Sequence, residues 1–168
     1  MPMVTTSEPM GGGKPVTAMT SSSASRAYIA GPLFDEGERW WIEKIDQTVA
    51  AAGFSTFLPH RDNPPKDQHN VAEIFANDRR AIDDCDVVVA SLNGVITDDG
   101  TAWELGYAFA LGKPFIGIHT DWRRRFDDEV VNLMIECSLT ALVRSLDELP
   151  AALAAQAVTA TQTGRSGS

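Results

Sequence analysis

Three acids stand where this sequence could do chemistry. In DDGTAWELGYA, residues 98 to 108, Glu104 is the only charged residue between Asp99 and Lys113. Thr101-Ala102-Trp103-Glu104 fits the T-x-x-E capping box, in which the glutamate bonds back to the cap residue's amide, so the spacing supports a helix start. It equally supports chemistry, because the turn falls at a strand exit where a pocket is expected. Asp78 gives a separate signal. In VAEIFANDRRAID it lies four residues from both Ile74 and Ile82, on the apolar stripe that Val71, Ile74, Phe75 and Ile82 form. A carboxyl buried there resists ionisation and can donate a proton near neutral pH. The alternative is a buried Asp satisfied by loop amides. Asp98 and Asp99 precede Gly100 and Thr101, where acids favour a helix N-terminus, so one of them is expected to be structural.

The elements that position these acids follow from periodicity. Apolar runs AYIAGP, STFLP, DVVVASLNG, KPFIGIHT and TALVRS read as strands. Helical patterns over about 35–52, 71–83, 101–112, 128–137 and 146–156 alternate with them. Strands apolar along their whole length are buried on both faces, which implies a parallel sheet covered by helices on each side. The expected fold is therefore α/β, a doubly wound five-stranded parallel sheet in a Rossmann- or flavodoxin-like three-layer sandwich. Ligands in such folds bind beyond the carboxyl ends of the strands. That places the site among Gly31-Pro32, the loop HRDNPPKDQHN, the segment NGVITDDG and the segment HTDWRRRF.

Composition narrows the function classes. The 168 residues suit one domain with its own core, and a net charge of -9 disfavours a broad nucleic-acid surface. Residues 1–25 and 158–168 are poor in apolar side chains and are expected to be disordered tails around a domain at 26–157. GGGK in the first tail lacks the rest of a phosphate loop, and no G-x-G-x-x-G follows the first strand, so no cofactor is expected. His60, His69 and His119 share no metal-ligand spacing, so no metal is expected either. Arg123, Arg124 and Arg125 suit a phosphate or a solvated loop. Asp83, Asp84 and Asp86 lie at the amino end of a strand and read as solvated surface. Cys85 and Cys137 read as small buried hydrophobes in a reducing cytoplasm. No apolar run reaches the length of a membrane span. Trp41, Ile45, Val49 and Ala52 share a helical face and read as core, leaving Trp40 as an interface candidate.

Six motifs in order, YIAGPLF, FLPHRD, IFANDRRAID, DVVVASLNG, DDGTAWELGYAFALGKP and VNLMIE, make residues 26 to 147 resemble the nucleoside 2-deoxyribosyltransferases. The resemblance implies that Glu104 is the nucleophile that attacks the anomeric carbon of a 2'-deoxyribonucleoside and holds a covalent deoxyribosyl intermediate. It implies that Asp78 protonates or hydrogen-bonds the departing base, that Asp98 helps hold the sugar, and that Tyr28 positions the nucleophile. Gly31, Asn132 and Met134 join Tyr28 as expected substrate-binding residues. Asn132 is expected to reach a neighbouring subunit's site, which implies a homo-oligomer; the partners are then 2'-deoxyribonucleosides and free nucleobases, with neither nucleic acid nor membrane. Some members close the pocket with a C-terminal tyrosine, and none follows Tyr107 here. Two other readings compete: a hydrolase of deoxynucleosides or their 5'-monophosphates, for which Ser138 is displaced from a phosphate site, and a non-catalytic nucleotide sensor.

Overall fold

The computed structural model describes residues 24–123, 126 and 129–163. The expected first tail, with GGGK, lies outside these apart from Ala24 and Ser25. Strand β1 (Arg26–Ala30) leads to helix α1 (Glu36–Ala51), then β2 (Ser55–Phe57) and a single turn of helix, α2 (Pro59–Asp62). Helix α3 (Val71–Asp84), β3 (Val87–Ser91), α4 (Asp99–Ala110) and β4 (Phe115–Ile118) follow. The short α5 (Leu133–Glu136), β5 (Ala141–Val143), a 3-10 turn (Leu146–Glu148) and α6 (Leu149–Thr163) complete the order. The five strands are all parallel in the order β2-β1-β3-β4-β5. This is the expected doubly wound sheet, and its order reverses between β1 and β3, where such folds open a crevice.

Alternation along the central strands builds a core on each face. Val87 and Val89 of β3 join Ile42, Ile45 and Val49 of α1 and Leu149 and Leu153 of α6, whereas Val88 and Ala90 join Ile82 of α3 and Leu105 and Ala108 of α4. Each fully buried Val, Ile or Leu contributes roughly 1.5–3 kcal/mol. Helices α3 and α4 therefore lie side by side on one face, which is what brings Asp78 and Glu104 together.

Four expectations are corrected. Within the stretch expected as a helix over 128–137, the described residues hold only the turn Leu133–Glu136, because the chain bends at Val130 and Val131 and Asn132 caps the turn, its side chain accepting from the Met134 amide at 2.9 Å. The last helix runs to Thr163, past the tail boundary expected near 157, since no Gly or Pro interrupts AALAAQAVTATQT; residues 164–168 lie outside the described residues. Cys85 is buried as expected, but Cys137 is exposed at the end of α5. Ala52 is exposed as well, at the end of α1, while Trp41 packs against the core and Trp40 stays 58% exposed.

Candidate active site

Asp98 settles which residue starts α4. Its Oδ2 accepts from the Thr101 amide at 2.9 Å and from the Thr101 hydroxyl at 3.0 Å, so Asp98 is the cap and Thr101 lies inside the helix. The helix thereby starts one turn earlier than the T-x-x-E pattern implies, and Glu104 is released from a capping role. An acid three residues earlier wins because Asp caps at least as well as Thr and adds charge at the positive end of the helix. The loop that delivers Asp98 is tied to the exit of β4: Asn93 Oδ1 accepts from the Thr120 amide at 2.8 Å, and the Gly94 amide donates to Asp121 at 3.1 Å.

Glu104 meets a partner from the middle of the sheet. The Tyr28 hydroxyl donates to Glu104 Oε1 at 2.6 Å. Tyr28 is wholly buried and stacks on Phe57 with ring centres 5.6 Å apart, so its hydroxyl has little freedom. Burial pushes Glu104 up to about 7; the Tyr28 bond opposes that, and the charges of Asp78 and Asp98 reinforce it. Burial and the neighbouring Glu104 drive the Tyr28 phenol far above its ordinary range, so it stays protonated and keeps its proton for the bond to Glu104.

Asp78 is half-buried and its carboxyl is raised by burial, against the pull of a hydrogen bond from Asn63 Nδ2 at 2.6 Å. Phe75, Asp78, Arg79, Gly100, Trp103 and Glu104 line one open cleft between α3 and α4. Phe75 stands edge-on to Trp103, with ring centres 5.4 Å apart, and both are about half exposed, giving the cleft an aromatic wall. Two carboxyls of raised pKa sharing a cleft are a recurrent acid–base arrangement. The Asp78 stripe is less buried than its spacing suggests, for Val71 and Phe75 are each 51% exposed.

The other expected residues separate. Gly31 leaves β1 beside α1, where a Cβ would run into Ile42 Cδ1 and come within 3.1 Å of Ser91 Cβ. Close packing therefore accounts for a glycine there. Asn132 lines a different hollow, with Val95, Ile96 and Thr97, and Met134 stands 72% exposed on α5. Neither contributes to the walls of the Glu104 cleft. Arg123 pairs with Asp121 at 2.5 Å and stays exposed, as the solvated-loop reading expects; Arg124 and Arg125 lie outside the described residues. His60 bonds Glu43 and His69 neighbours Gln68. Among the described residues no helix is long and apolar enough to cross a membrane. Sequence reasoning passed over Asn63, although an Asn directly before Pro64 at a strand exit is a signal of a fixed backbone.

Removing the Tyr28 hydroxyl tests the balance at Glu104. Without the donor, burial acts unopposed, so Tyr28→Phe is expected to raise the Glu104 pKa further, by about one to two units for a hydrogen bond to a charged group. Carboxyl ¹³C NMR of glutamate-labelled protein reads the titration directly. A Glu104 resonance titrating at or below the wild-type midpoint would show that the Tyr28 bond does not favour the carboxylate.

An α/β domain with a tyrosine-held glutamate and a second acid in one cleft at its switch point has the layout of an enzyme. The model of the family described as nucleoside 2-deoxyribosyltransferase matches residues 27–134, and the chain belongs to that family. At that level it is an enzyme that transfers or cleaves glycosyl groups. The chain is 28% identical to a 2-deoxyribosyltransferase from Bacillus psychrosaccharolyticus, with a TM-score of 0.66 over 75% of this chain and 90% of the other. It is 25% identical to a 2-desoxiribosyltransferase from Leishmania mexicana, with a TM-score of 0.59 over 77% of this chain and 95% of the other. A Clostridium botulinum CMP N-glycosidase, 20% identical with a TM-score of 0.51 over 77% and 98%, shares the fold. Comparison with curated proteins finds no match.

Proposed function

We propose that the chain transfers a 2-deoxyribosyl group from a 2'-deoxyribonucleoside to another nucleobase through a glutamyl intermediate on Glu104. The observation that carries this reading is the 2.6 Å bond from Tyr28 to Glu104 Oε1 beside Asp78 in one cleft. With Oε1 engaged, Oε2 is the atom that attacks C1'. The C1'–N bond breaks, its electron pair stays on the base nitrogen, and Asp78 supplies the proton. A second base then attacks C1', expels Glu104 and returns its proton to Asp78. Two displacements at one carbon retain configuration, as in retaining glycosidases. The transition state is oxocarbenium-like, and a missing 2'-hydroxyl removes an electron-withdrawing group from it. The reactive state carries one proton across the two carboxyls, so the pH dependence of kcat/KM is a bell whose limbs belong to the pair. Asp98 uses Oδ2 on Thr101, and we assign its Oδ1 to a sugar hydroxyl.

The test is acceptor dependence. Deoxyinosine or thymidine is incubated with and without adenine or cytosine, and products are separated by chromatography. A new deoxynucleoside that appears only with the acceptor supports transfer. Free base with released deoxyribose in place of a new nucleoside points to hydrolysis, and turnover of neither nucleosides nor monophosphates points to a sensor.

The proposed active unit is a homo-oligomer in which Asn132 and Met134 serve a neighbouring subunit's cleft. Its support is their absence from the cleft of their own chain, together with the exposure of Leu133 and of Trp103 and Phe109 on α4. Mixing and re-equilibrating two inactive variants, Glu104→Ala and Asn132→Ala, is then expected to restore activity, because a mixed assembly contains sites with both residues intact. Recovery of about a quarter of wild-type turnover fits random pairing of two-subunit sites. No recovery despite demonstrated subunit exchange would place Asn132 in its own chain's site or in none.

A further inference from the structure

We propose that Asn63 is the positioning residue of the acid, holding Asp78 Oδ1 so that the transferable proton resides on Oδ2. This rests on the role given to Asp78 above. Asn63 Nδ2 donates to Asp78 Oδ1 at 2.6 Å, and Asn63 Oδ1 accepts from Asn77 Nδ2 at 3.2 Å. The Asn77 contact orients the Asn63 amide: its carbonyl faces Asn77, so its NH₂ faces Asp78. An amide NH₂ can only donate, so Asp78 Oδ1 is kept as an acceptor in both protonation states. When Asp78 is protonated the hydrogen sits on Oδ2. It passes to the base nitrogen as the C1'–N bond breaks, leaving Asp78 as a carboxylate that the Asn63 bond stabilises, and it returns to Oδ2 when the incoming base loses it.

Asn63 is held for this task before substrate arrives. It precedes Pro64, which disfavours helical backbone, and its φ of -98° and ψ of 156° are extended. The turn before it is clamped to the body of the domain. Arg61 reaches the buried Asp46 of α1 at 3.0 Å and the Thr56 carbonyl at 2.8 Å, while Asp62 accepts from the Leu58 amide at 2.8 Å. The exit of β2 is thereby coupled to the acid on α3 with little conformational freedom to lose, which is what a supporting shell requires.

The experiment compares two donors. One is a natural deoxynucleoside, whose base needs a proton to leave; the other is 4-nitrophenyl 2-deoxyriboside, whose leaving group departs as a stable anion. Asn63→Ala is expected to lower kcat on the natural donor by about 10- to 100-fold with KM changed by less than about threefold, and to leave the nitrophenyl donor within about threefold of wild type. Asn77→Asp, nearly the same shape, is expected to do the same. A carboxylate at 77 turns the Asn63 amide over, so its carbonyl meets Asp78 and pins the proton on Oδ1, away from the base. If Asn63→Ala fails to fold, Asn77→Asp decides alone. Equal slowing on both donors, or no slowing on either, overturns the positioning role while wild-type turnover preserves the reading beneath it. A wild-type protein that turns over neither donor overturns both.

Discussion

Glu104→Gln is expected to reduce turnover of 2'-deoxyribonucleosides by on the order of 10³- to 10⁶-fold, the range for loss of an activated nucleophile. The same substitution is expected to stabilise the fold above neutral pH. Glu104 is an ordinary carboxyl near 4.5 when unfolded and is pushed to about 7 by burial in the native protein. Between those values the native state binds more protons than the unfolded state, so stability falls as pH rises through the window. Above about 7 the wild type carries a buried charge that corresponds to roughly 3 kcal/mol. Gln keeps the shape and the acceptor for Tyr28 but never ionises. Its melting temperature is therefore expected to exceed that of wild type by up to roughly 10 °C at pH 8, with the difference vanishing by pH 4. Calorimetry at the two pH values measures this. A variant that melts with wild type at pH 8 would mean that the Glu104 charge is better solvated than its burial implies. Substantial residual transfer would remove Glu104 as nucleophile.

Asp78→Asn is expected to cost about 10²- to 10⁴-fold in kcat on natural deoxynucleosides, the usual contribution of a general acid. The reason is chemical rather than steric. Asn fills the same volume at the cleft but has no proton to give at a useful pKa, so the base must leave as an anion. On 4-nitrophenyl 2-deoxyriboside the loss is expected to stay within about tenfold, and the descending limb of the pH profile to disappear, because Glu104, which must lose its proton to attack, is then the one carboxyl of the pair left to titrate. Steady-state kinetics on both donors from pH 5 to 9 read the two effects together. Comparable losses on both donors would make Asp78 a group that holds substrate rather than one that protonates it. Glu104→Gln, by contrast, is expected to slow both donors alike, since every donor needs the nucleophile.

Much of this site was legible because it is written in short segments. The run D-x-G-x-x-x-E-L-G-Y-A confines Asp98 and Glu104 to one helix start, and the four-residue spacing of Asp78 from Ile74 and Ile82 put it on the inward side of α3. The sheet was legible for the same reason: runs such as VVVA at 87–90 are apolar at every position only when both faces are covered, so β3 announced itself as a central strand. Where expectation and structure part, the deciding interaction was local but balanced. Asp98 and Thr101 both suit a cap, and only the backbone hydrogen bonds show that Asp98 has it. The stretch before Leu133 has helical spacing, yet Asn132 interrupts it because a side-chain bond to the Met134 amide competes with the helix ladder.

The sequence by itself determined the fold class, the acids and the order in which they occur, since periodicity and capping act over a few residues of chain. The tertiary structure alone decided what each acid touches. Tyr28 and Glu104 are 76 positions apart and meet because β1 lies next to β3 and α4 packs back across them. Asn63 reaches Asp78 because β2 is the edge strand beside β1, and α3 packs on β1. The pKa of a carboxyl depends on burial and on such partners, so the property that would make Glu104 and Asp78 a working pair exists only once the chain has closed around them.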